Sequence, residues 1–404
     1  MKGRKPKPIP PTLKRAQFAE HVMPRLTSIT KLSFVYAKSV SNLDSEGPYD
    51  VEASLMFPQL LSIVGNRLRA LHIQSPFALY LPPRLESLDT FSLDACRPYH
   101  TPEIHRIMLE KVPAFLEAQR STIRNVSFAI DNPTFDIAPI LQGLQLMSCL
   151  HDIRLAFPYE SATRTITAMP FKAGFKILET HQKHLRSLDL SFTPDHFVDP
   201  VSDLPALRQE CWSVDLSNLK NLMICIPGVM VIDDPNHSNG YTWGPLSSSL
   251  VSLTIRHQVF PIVRTPQPQE FGMFCAVLSK FSCLQDLSFC IYHFDIQALF
   301  VFASTLPRLR SLFIDYSYVT FVVKVSFFVS GLTGEMLILT YQQRFRWEFF
   351  NNWALESFDY RCPDNKHDDR LGRKVAIVLP NVLWIHKKPR REYLPKHWTD
   401  RKYN

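Results

Sequence analysis

HLRSLDLS, at residues 184–191, contains the pattern on which this chain is built. Within it, LRSLDL (185–190) has the form L-x-x-L-x-L, with apolar residues at the first, fourth and sixth positions. The same form recurs at LRALHI (68–73), LESLDT (85–90), IRNVSF (123–128), LHDIRL (150–155), LKNLMI (219–224), LVSLTI (250–255), LQDLSF (284–289), LRSLFI (309–314) and LESFDY (355–360). A more distorted copy, LTSITKLSF, stands at 26–34. Such repetition is typical of a fold assembled from stacked units.

The two columns that flank the second apolar position follow a rule of their own. The residue before that position is small or polar in all ten copies. The residue after it is polar in eight of ten, reading His72, Asp89, Ser127, Arg154, Asp189, Met223, Thr254, Ser288, Phe313 and Asp359. A strand with one buried face requires this alternation of apolar and polar residues. Each copy therefore predicts a short β-strand with one polar face.

The spacing of the copies predicts how the strands are connected. Between Val126 and Leu312 the central apolar positions lie 25 to 35 residues apart, and helix-like stretches follow Asp136 and Asp295 and span 168–181 and 271–281. A strand–helix unit cannot bury its apolar faces alone, but stacked units can. The chain is therefore predicted to be an α/β solenoid with a parallel concave sheet and helices on the convex side. A doubly wound sheet is not expected, because its strands would be apolar on both faces.

Three segments resemble a known family. HLRSLDLS (184–191), CLQDLSF (283–289) and PRLRSLFID (307–315) resemble the irregular leucine-rich repeats of fungal F-box/LRR-type proteins, and KVAIVLPNVLWIH (374–386) resembles the way such chains end. The resemblance covers roughly residues 60–390 and implies a leucine-rich-repeat solenoid. It also implies a partner protein, in that family a substrate presented for ubiquitination.

The sequence departs from that family in two places. The asparagine that regular repeats carry three residues after the third apolar position is absent, and Pro158, Thr193, Pro227 and Tyr292 stand there. The F-box, a helical segment before the repeats, is not evident, because the residues before Leu26 are basic and rich in proline. We therefore expect an uneven stack of repeats, and the ligase adaptor is a doubtful partner without an F-box.

Composition divides the chain into three parts. Residues 1–20 are predicted to be a basic, proline-rich flexible arm, residues 21–386 the solenoid, and residues 387–404 a basic C-terminal tail. Trp384 lies in an apolar, strand-like run, so we predict that it belongs to the core and that the tail after it caps the last repeat.

Two stretches interrupt the predicted solenoid. Residues 227–249 are rich in Gly, Pro, Asn and Ser and are predicted to be a loop insertion. Residues 319–341 form an irregular insertion that is β-branched, aromatic and without the repeat pattern. Two interpretations of the second stretch remain open: a β-hairpin turning at 330–334, or the translation of an unspliced in-frame intron over residues 325–341.

The formal net charge of +8 is concentrated at the two ends. Residues 1–15 carry +6 and residues 361–404 carry +7, so the body between them is net acidic. A basic arm can hold phosphate or anionic lipid through counterion release, although a solvated terminus explains the same charge. Binding of nucleic acid or an anionic surface through the basic termini is the alternative function, and nucleic acid is not the expected partner.

The cysteines and the apolar runs bear on location. The eight cysteines include no C-x-x-C pair, and no apolar run follows the charged N-terminus as a secretion signal would require. We therefore expect an intracellular protein, in the cytoplasm or nucleus, that is not secreted. The most apolar stretch, 318–330, is interrupted by Lys324 and is too short to span a bilayer, so no membrane span is expected.

No residue pattern in the chain indicates catalysis. The sequence contains no G-x-S-x-G, no G-x-G-x-x-G and no P-loop. His181 and His184 could share a helical face, but no second histidine pair or cysteine cluster supports a metal site. The protein is therefore expected not to be an enzyme and to need neither a metal nor another cofactor.

These observations predict a non-enzymatic protein–protein interaction module. By resemblance, it would recognise substrates for a ubiquitin ligase of the F-box type. The residues predicted to contact the partner on the concave face are the polar strand residues Asp152, Arg154, Asp189, Asn221, Thr254, Asp286 and Ser288.

Overall fold

The computed structural model of the chain describes much of the predicted solenoid. The described residues are 28–35, 51–95, 102–130, 138–145, 147–159, 176–194, 216–227, 248–258, 278–295, 298–320, 353–361, 371–373, 375–376, 379 and 381–394. They belong to two compact units, each of which is built from parallel strands.

The first unit comprises Met1–Pro158 and Thr165–His184. Its described strands run parallel in chain order. They are β1 (Lys31–Phe34), β2 (Ala70–Gln74), β3 (Thr90–Ala95), β4 (Asn125–Ile130) and β5 (Asp152–Tyr159).

The second unit comprises Tyr159–Arg164 and Leu185–Asn404. Its described strands are β6 (Ser187–Pro194), β7 (Asn221–Pro227), β8 (Ser252–Gln258), β9 (Asp286–Asp295), β10 (Ser311–Thr320), β11 (Ser357–Arg361), β12 (Trp384–Ile385) and β13 (Lys388–Pro389). From β6 to β12 they pair parallel in chain order, and β13 turns back antiparallel to β12.

The central apolar residue of each repeat pairs with that of the next. In the first unit the series is Leu71, Phe91, Val126 and Ile153. In the second unit it is Leu188, Leu222, Leu253, Leu287, Leu312, Phe358 and Ile385. All of these side chains are at most 3% exposed. The repeated apolar position therefore forms a continuous buried row in each unit.

One backbone arrangement joins each repeat to the next. The carbonyl oxygen of Arg186, just before β6, accepts hydrogen bonds from the amides of Lys220 (2.8 Å) and Asn221 (3.0 Å) in the following repeat. The same double acceptance occurs at Thr30, Arg69, Asp89 and Arg124 in the first unit and at Lys220, Val251, Gln285, Arg310 and Glu356 in the second. A carbonyl oxygen has two lone pairs, so it can hold two amides and fix where the next strand begins.

Helices lie against the apolar face of the sheet. They are α1 (Val51–Val64), α2 (Pro102–Ala118), α3 (Ala138–Leu144) and α4 (Ala298–Thr305), and residues 176–181 are also helical. In the first unit the rings of Phe91 on β3 and Phe115 on α2 are 5.2 Å apart. In the second unit the rings of Phe289 on β9 and Phe302 on α4 are 5.6 Å apart. The helices α2 and α4 thus pack on the strand face opposite to the polar residues.

Parallel strands in chain order, repeats in register and helices on one face define a leucine-rich-repeat solenoid. The predicted fold class is therefore confirmed, and the chain is a leucine-rich-repeat protein. The distorted copy at 26–34 is confirmed as well, because Leu32 and Phe34 of β1 pair with Leu71 and Ile73 of β2.

The repeat predicted at LESLDT (85–90) is wrong by three residues. β3 begins at Thr90, and Phe91 pairs with Leu71 on one side and with Val126 on the other. The repeat is therefore LDTFSL (88–93), with phenylalanine in the central position. The prediction failed because Leu85 and Leu88 fill the first two apolar positions of the pattern in residues 85–90. The third position would then be Thr90, which is polar and unsuited to a buried position.

The described residues include parts of all four predicted helices. The helices expected after Asp136 and Asp295 are described over Ala138–Leu144 and Ala298–Thr305, and Asp295 itself is the last residue of β9. Of the helix predicted at 168–181, the described residues 176–181 are helical. Only the end of the helix predicted at 271–281 lies among the described residues.

Several predicted segments fall outside the described residues. They are the arm at 1–20, most of the two insertions (228–247 and 321–341) and residues 395–404 of the tail. The hairpin and intron interpretations of the second insertion therefore stay predictions. Across the stretches that are described, none of the helices has both the length and the apolar character needed to cross a bilayer.

A buried histidine connects two helical segments of the first unit. His181 is 3% exposed, and its Nε2 lies 2.9 Å from the carbonyl oxygen of Leu144, to which it donates. Burial lowers the pKa of His181 below its ordinary 6.5, the hydrogen bond to Leu144 opposes that shift, and the neighbouring His184 adds to it. The folded state therefore favours the neutral imidazole.

We predict that His181 makes the protein less stable in acid. The unfolded chain takes up a proton near pH 6.5, before the folded state does, so stability is retained above that pH and lost as the pH falls toward the lowered folded pKa. His181→Gln, which keeps a donor for Leu144 but does not titrate, should lose less unfolding free energy between about pH 7.5 and about pH 5.5. Urea unfolding of the wild type, of this variant and of the control His72→Gln on β2 measures the difference. An equal loss in all three would contradict the assignment.

Candidate interaction surface

The polar face of the second unit carries three rows of side chains that run across the strands. The first row comprises Ser187, Asn221, Ser252, Asp286, Ser311, Ser357 and Trp384. The second comprises Asp189, Met223, Thr254, Ser288, Phe313 and Asp359. The third, one further step along each strand, includes Ser191, Cys225, Arg256, Asp315 and Arg361. We call these rows the sheet face of the second unit.

Five of the predicted contact residues lie on this sheet face. Asn221 and Asp286 belong to its first row, and Asp189, Thr254 and Ser288 belong to its second. The strand register places Thr254 and Ser288 side by side, whereas Ser252 separates Asn221 from Asp286. The five residues therefore share one face, and their contact with a partner stays a prediction.

The other two predicted contact residues belong to the first unit. Asp152 pairs in register with Asn125, and Arg154 pairs with Ser127. Asp152 is half-buried, whereas Arg154 is exposed. They form a separate polar pair on β5, whose contact with a partner likewise stays a prediction.

Asp189 differs from the other predicted residues because it is largely buried. Asp189 is only 7% exposed, and its Oδ1 accepts a hydrogen bond from the Ser191 hydroxyl at 3.2 Å. It also lies close enough to Cys225 for its charge to raise the pKa of that thiol, after the larger effect of burial and against the opposing charge of Arg256. Asp189 therefore interacts with two residues of the third row.

The sequence analysis missed a group of charged residues in the third row. Asp315 on β10 pairs in register with Arg361 on β11, and Arg256 projects from β8. Burial raises the pKa of the Asp315 carboxyl, and the positive charges of Arg361 and then Arg256 oppose that shift. The L-x-x-L-x-L pattern stops one residue short of this row, so continuing the alternation by one step would have found it.

Two half-buried apolar residues stand among the polar residues of the second row. Met223 lies between Asp189 and Thr254, and Phe313 lies between Ser288 and Asp359. They are the two apolar members of an otherwise polar column, so the sequence did contain their signal. A search for polar contact residues passed over them.

The C-terminal cap, residues 381–394, corrects the prediction that Trp384 belongs to the core. Ile385 pairs with Phe358 and is fully buried, so Trp384 pairs with Ser357 in the first row and is 50% exposed. The chain then turns through His386 (φ 46°) and Lys387 (φ 62°) into β13. One residue of shift in a strand exchanges its two faces, which explains the error.

Two contacts hold the returning end of the C-terminal cap against the solenoid. The Arg390 Nε donates to the carbonyl oxygen of Ala376 at 2.8 Å. The buried ring of Tyr393 lies over Gly372, where an added Cβ would stand 2.6 Å from the ring's Cδ1. Only glycine leaves room for the tyrosine at this position.

His386 ties the turn of the C-terminal cap to β11. Its ring stacks on Tyr360 with centroids 4.7 Å apart, and its Nδ1 lies 2.9 Å from the Tyr360 carbonyl oxygen. The same nitrogen is 3.1 Å from the Asp359 carboxylate, which also accepts from the Tyr360 amide. The left-handed backbone of His386 is thus offset by stacking and hydrogen bonding.

Metal chemistry finds no support within the ranges that the structure describes. No group of three histidine, cysteine or acidic residues there is arranged to hold a metal ion. His181 is buried against Leu144, whereas His184 is exposed.

Comparison with known proteins gives two structural likenesses. The chain is similar to an internalin (inlF) from Listeria monocytogenes at 13% identity and a TM-score of 0.33, over 92% of this chain and 86% of that one. It is similar to TLR13, in a structure of the TLR13–ssRNA13 complex, at 13% identity and a TM-score of 0.30, over 76% of this chain and 41% of that one. No protein-family model matches the chain, and no curated protein does. The assignment to the leucine-rich-repeat fold rests on the strand register.

We predict that the two arginines of the third row control the ionisation of Asp315. Arg361→Gln should raise the pKa of Asp315 further above its ordinary value, and Arg256→Gln should do so to a smaller extent, because each removes a charge that opposes the effect of burial. Carboxyl carbon NMR of protein with labelled aspartate measures the shift. Arg308→Gln is the control, and an unchanged Asp315 pKa in Arg361→Gln would contradict the assignment.

Proposed function

We propose that this chain is a protein–protein interaction module that binds its partner on the sheet face of the second unit. The observation that carries the proposal is the presence of the half-buried Met223 and Phe313 within a polar row. Apolar side chains at such positions lose surface exposed to water only when a partner covers them. Aromatic residues, methionine and arginine are also the types enriched where protein interfaces concentrate their binding energy.

The charged residues beside Phe313 support a partner with specific charge placement. Asp315 and Arg361 lie one row away from Phe313 and Asp359, on the same two strands. Charges of both signs at fixed positions select a partner with the complementary arrangement and set its register more than they set its affinity. We therefore propose that Phe313 supplies binding energy and that the third row supplies specificity.

This mixture of signs favours a protein over a polyanion. Asp189, Asp286, Asp315 and Asp359 lie among Arg256 and Arg361 on the sheet face. A phosphate backbone would meet at least as many carboxylates as guanidinium groups there, so counterion release would gain little. Binding of nucleic acid or an anionic surface would have to use the predicted basic termini, of which residues 1–20 and 395–404 lie outside the described residues.

The narrower form of the proposal concerns the kind of partner. We propose that it is a substrate presented for ubiquitination, and the support is the resemblance of 184–191, 283–289 and 307–315 to fungal F-box/LRR-type repeats.

The cysteines Cys149, Cys225 and Cys283 are free thiols, which fits a reducing compartment and hence the proposed intracellular location.

We predict that Phe313→Ala and Arg361→Glu each reduce partner retention by about tenfold or more, because both residues would lie within the interface. Affinity capture from the native host with quantitative mass spectrometry measures retention. Arg308→Glu has the same charge change on an exposed turn and should retain the wild-type set. Thermal unfolding checks that each variant is folded. Equal retention by all three variants would sink the proposal that the sheet face binds the partner.

The narrower proposal has its own test. If the protein recognises substrates for a ligase of the F-box type, then the natural full-length protein should co-purify with the ligase adaptor. A partner captured through Phe313 should also accumulate when the gene is deleted, because its ubiquitination would be lost. Absence of the adaptor together with unchanged partner abundance would reject the ligase role and leave the interaction module standing.

A further inference from the structure

Two adjacent apolar side chains are exposed in the C-terminal cap. Leu383 is 60% exposed and Trp384 is 50% exposed, the two highest values among the large apolar side chains of the described residues. We call them the Leu383–Trp384 patch. Scattered apolar residues on a surface need no explanation, but a leucine beside a tryptophan at the end of a sheet row indicates a contact site.

The backbone under the Leu383–Trp384 patch is fixed. The amides of Leu383 and Trp384 donate to the carbonyl oxygen of Glu356 at 2.8 Å and 3.1 Å, and the Leu383 carbonyl accepts from the Arg390 amide at 2.9 Å. The next residue, Ile385, is fully buried. The backbone of both residues is therefore held by hydrogen bonds, so a ligand would not have to order it on binding.

Cations follow the Leu383–Trp384 patch directly. The next seven residues contain four cations: Lys387, Lys388, Arg390 and Arg391. The one acidic residue in 385–392 is Glu392. Arg390 is committed to Ala376, and the Lys388 ammonium lies 5.9 Å from the Tyr393 ring centroid. Lys387 and Arg391 are exposed. Because β13 pairs back on β12 with Pro389 opposite Trp384, these basic residues follow the patch around one short hairpin.

We propose that the Leu383–Trp384 patch binds an acidic peptide segment of the partner protein. One apolar side chain of the segment packs against the Trp384 indole, and its carboxylates meet Lys387 and Arg391. This inference rests on the proposed function, in that the partner is a protein. It adds a second contact, continuous with the first row of the sheet face, because Trp384 pairs in register with Ser357.

The same observations disfavour other occupants. The exposed Glu356 lies beside Leu383, and Asp359 follows on the same strand, so an anionic membrane or nucleic acid would meet carboxylates there. A second copy adding a strand to the edge is disfavoured, because the outer strand β13 has two residues, one of which is Pro389 with no amide hydrogen. A short peptide can place its acids on the cations and avoid both carboxylates.

Selection from a randomised dodecapeptide library on the full chain tests the proposal. The wild type should enrich peptides that combine net negative charge with one aromatic or large aliphatic residue, and Trp384→Ala should not enrich them. Fluorescence polarisation with the best labelled peptide should then show about a tenfold or greater loss of affinity for Trp384→Ala and for Lys387→Glu/Arg391→Glu. The charge-matched control Lys280→Glu/Arg308→Glu should bind like the wild type. Binding to the wild type should also weaken with added salt.

Each contrary result would overturn the proposal. One contrary result is that the wild type enriches no peptide, or that it enriches neutral or basic peptides. Another is that Trp384→Ala enriches the same peptides as the wild type. Binding of phosphatidylcholine–phosphatidylserine vesicles that depends on Trp384 would assign the patch to a membrane, and a dimer that Trp384→Ala dissociates in sedimentation would assign it to a second copy. Phe313→Ala separates the two proposals, because it should reduce capture of the natural partner by about tenfold or more while leaving peptide affinity at the patch unchanged.

Discussion

The double hydrogen bond at the start of each strand is the interaction on which the rest of the structure depends. In each case one carbonyl oxygen holds two successive amides of the next repeat, as Arg186 holds Lys220 and Asn221. These bonds involve only backbone atoms, so the side chain at that position is free to vary, and arginine, aspartate, lysine, valine and glutamate all occur there. The repeats can therefore stack without the asparagine that regular leucine-rich repeats carry. Sequence irregularity and structural regularity are compatible for this reason.

A fixed strand start determines which side chains are buried. Once Asn221 and Ser252 are aligned, Leu222 and Leu253 must face the helices, because successive side chains of a strand point to opposite sides. A slip of one residue would place every leucine on the polar face. The buried rows thus provide the stability, and the polar rows on the opposite face can change without disturbing them. This separation allows a stable scaffold to carry a specialised surface.

Much of the fold could be predicted from sequence because burial imposes a short, repeated pattern. The strands after Ile123, Leu185 and Leu284 start where the pattern places them. The prediction failed at Phe91 and Trp384, where an aromatic residue had to be assigned to one face without knowledge of the neighbouring strand. The third row of the sheet face was missed because position alone distinguishes Asp315 and Arg361 from loop residues. Strand pairing brings residues from distant segments together, so it cannot be predicted from any one segment alone.

The electrostatics of the sheet face follow from its position in the sheet. A carboxylate within a sheet loses hydration to the strands on either side, which raises the pKa of Asp315, and the positive charges of Arg361 and Arg256 limit that rise. Arg361 is exposed, so a partner that engaged it would alter the ionisation of Asp315 as well. The charges of the third row are therefore coupled across strands, although each residue comes from a different repeat. A surface of this kind can be specific without a deep pocket, because specificity resides in the order in which the repeats present their charges.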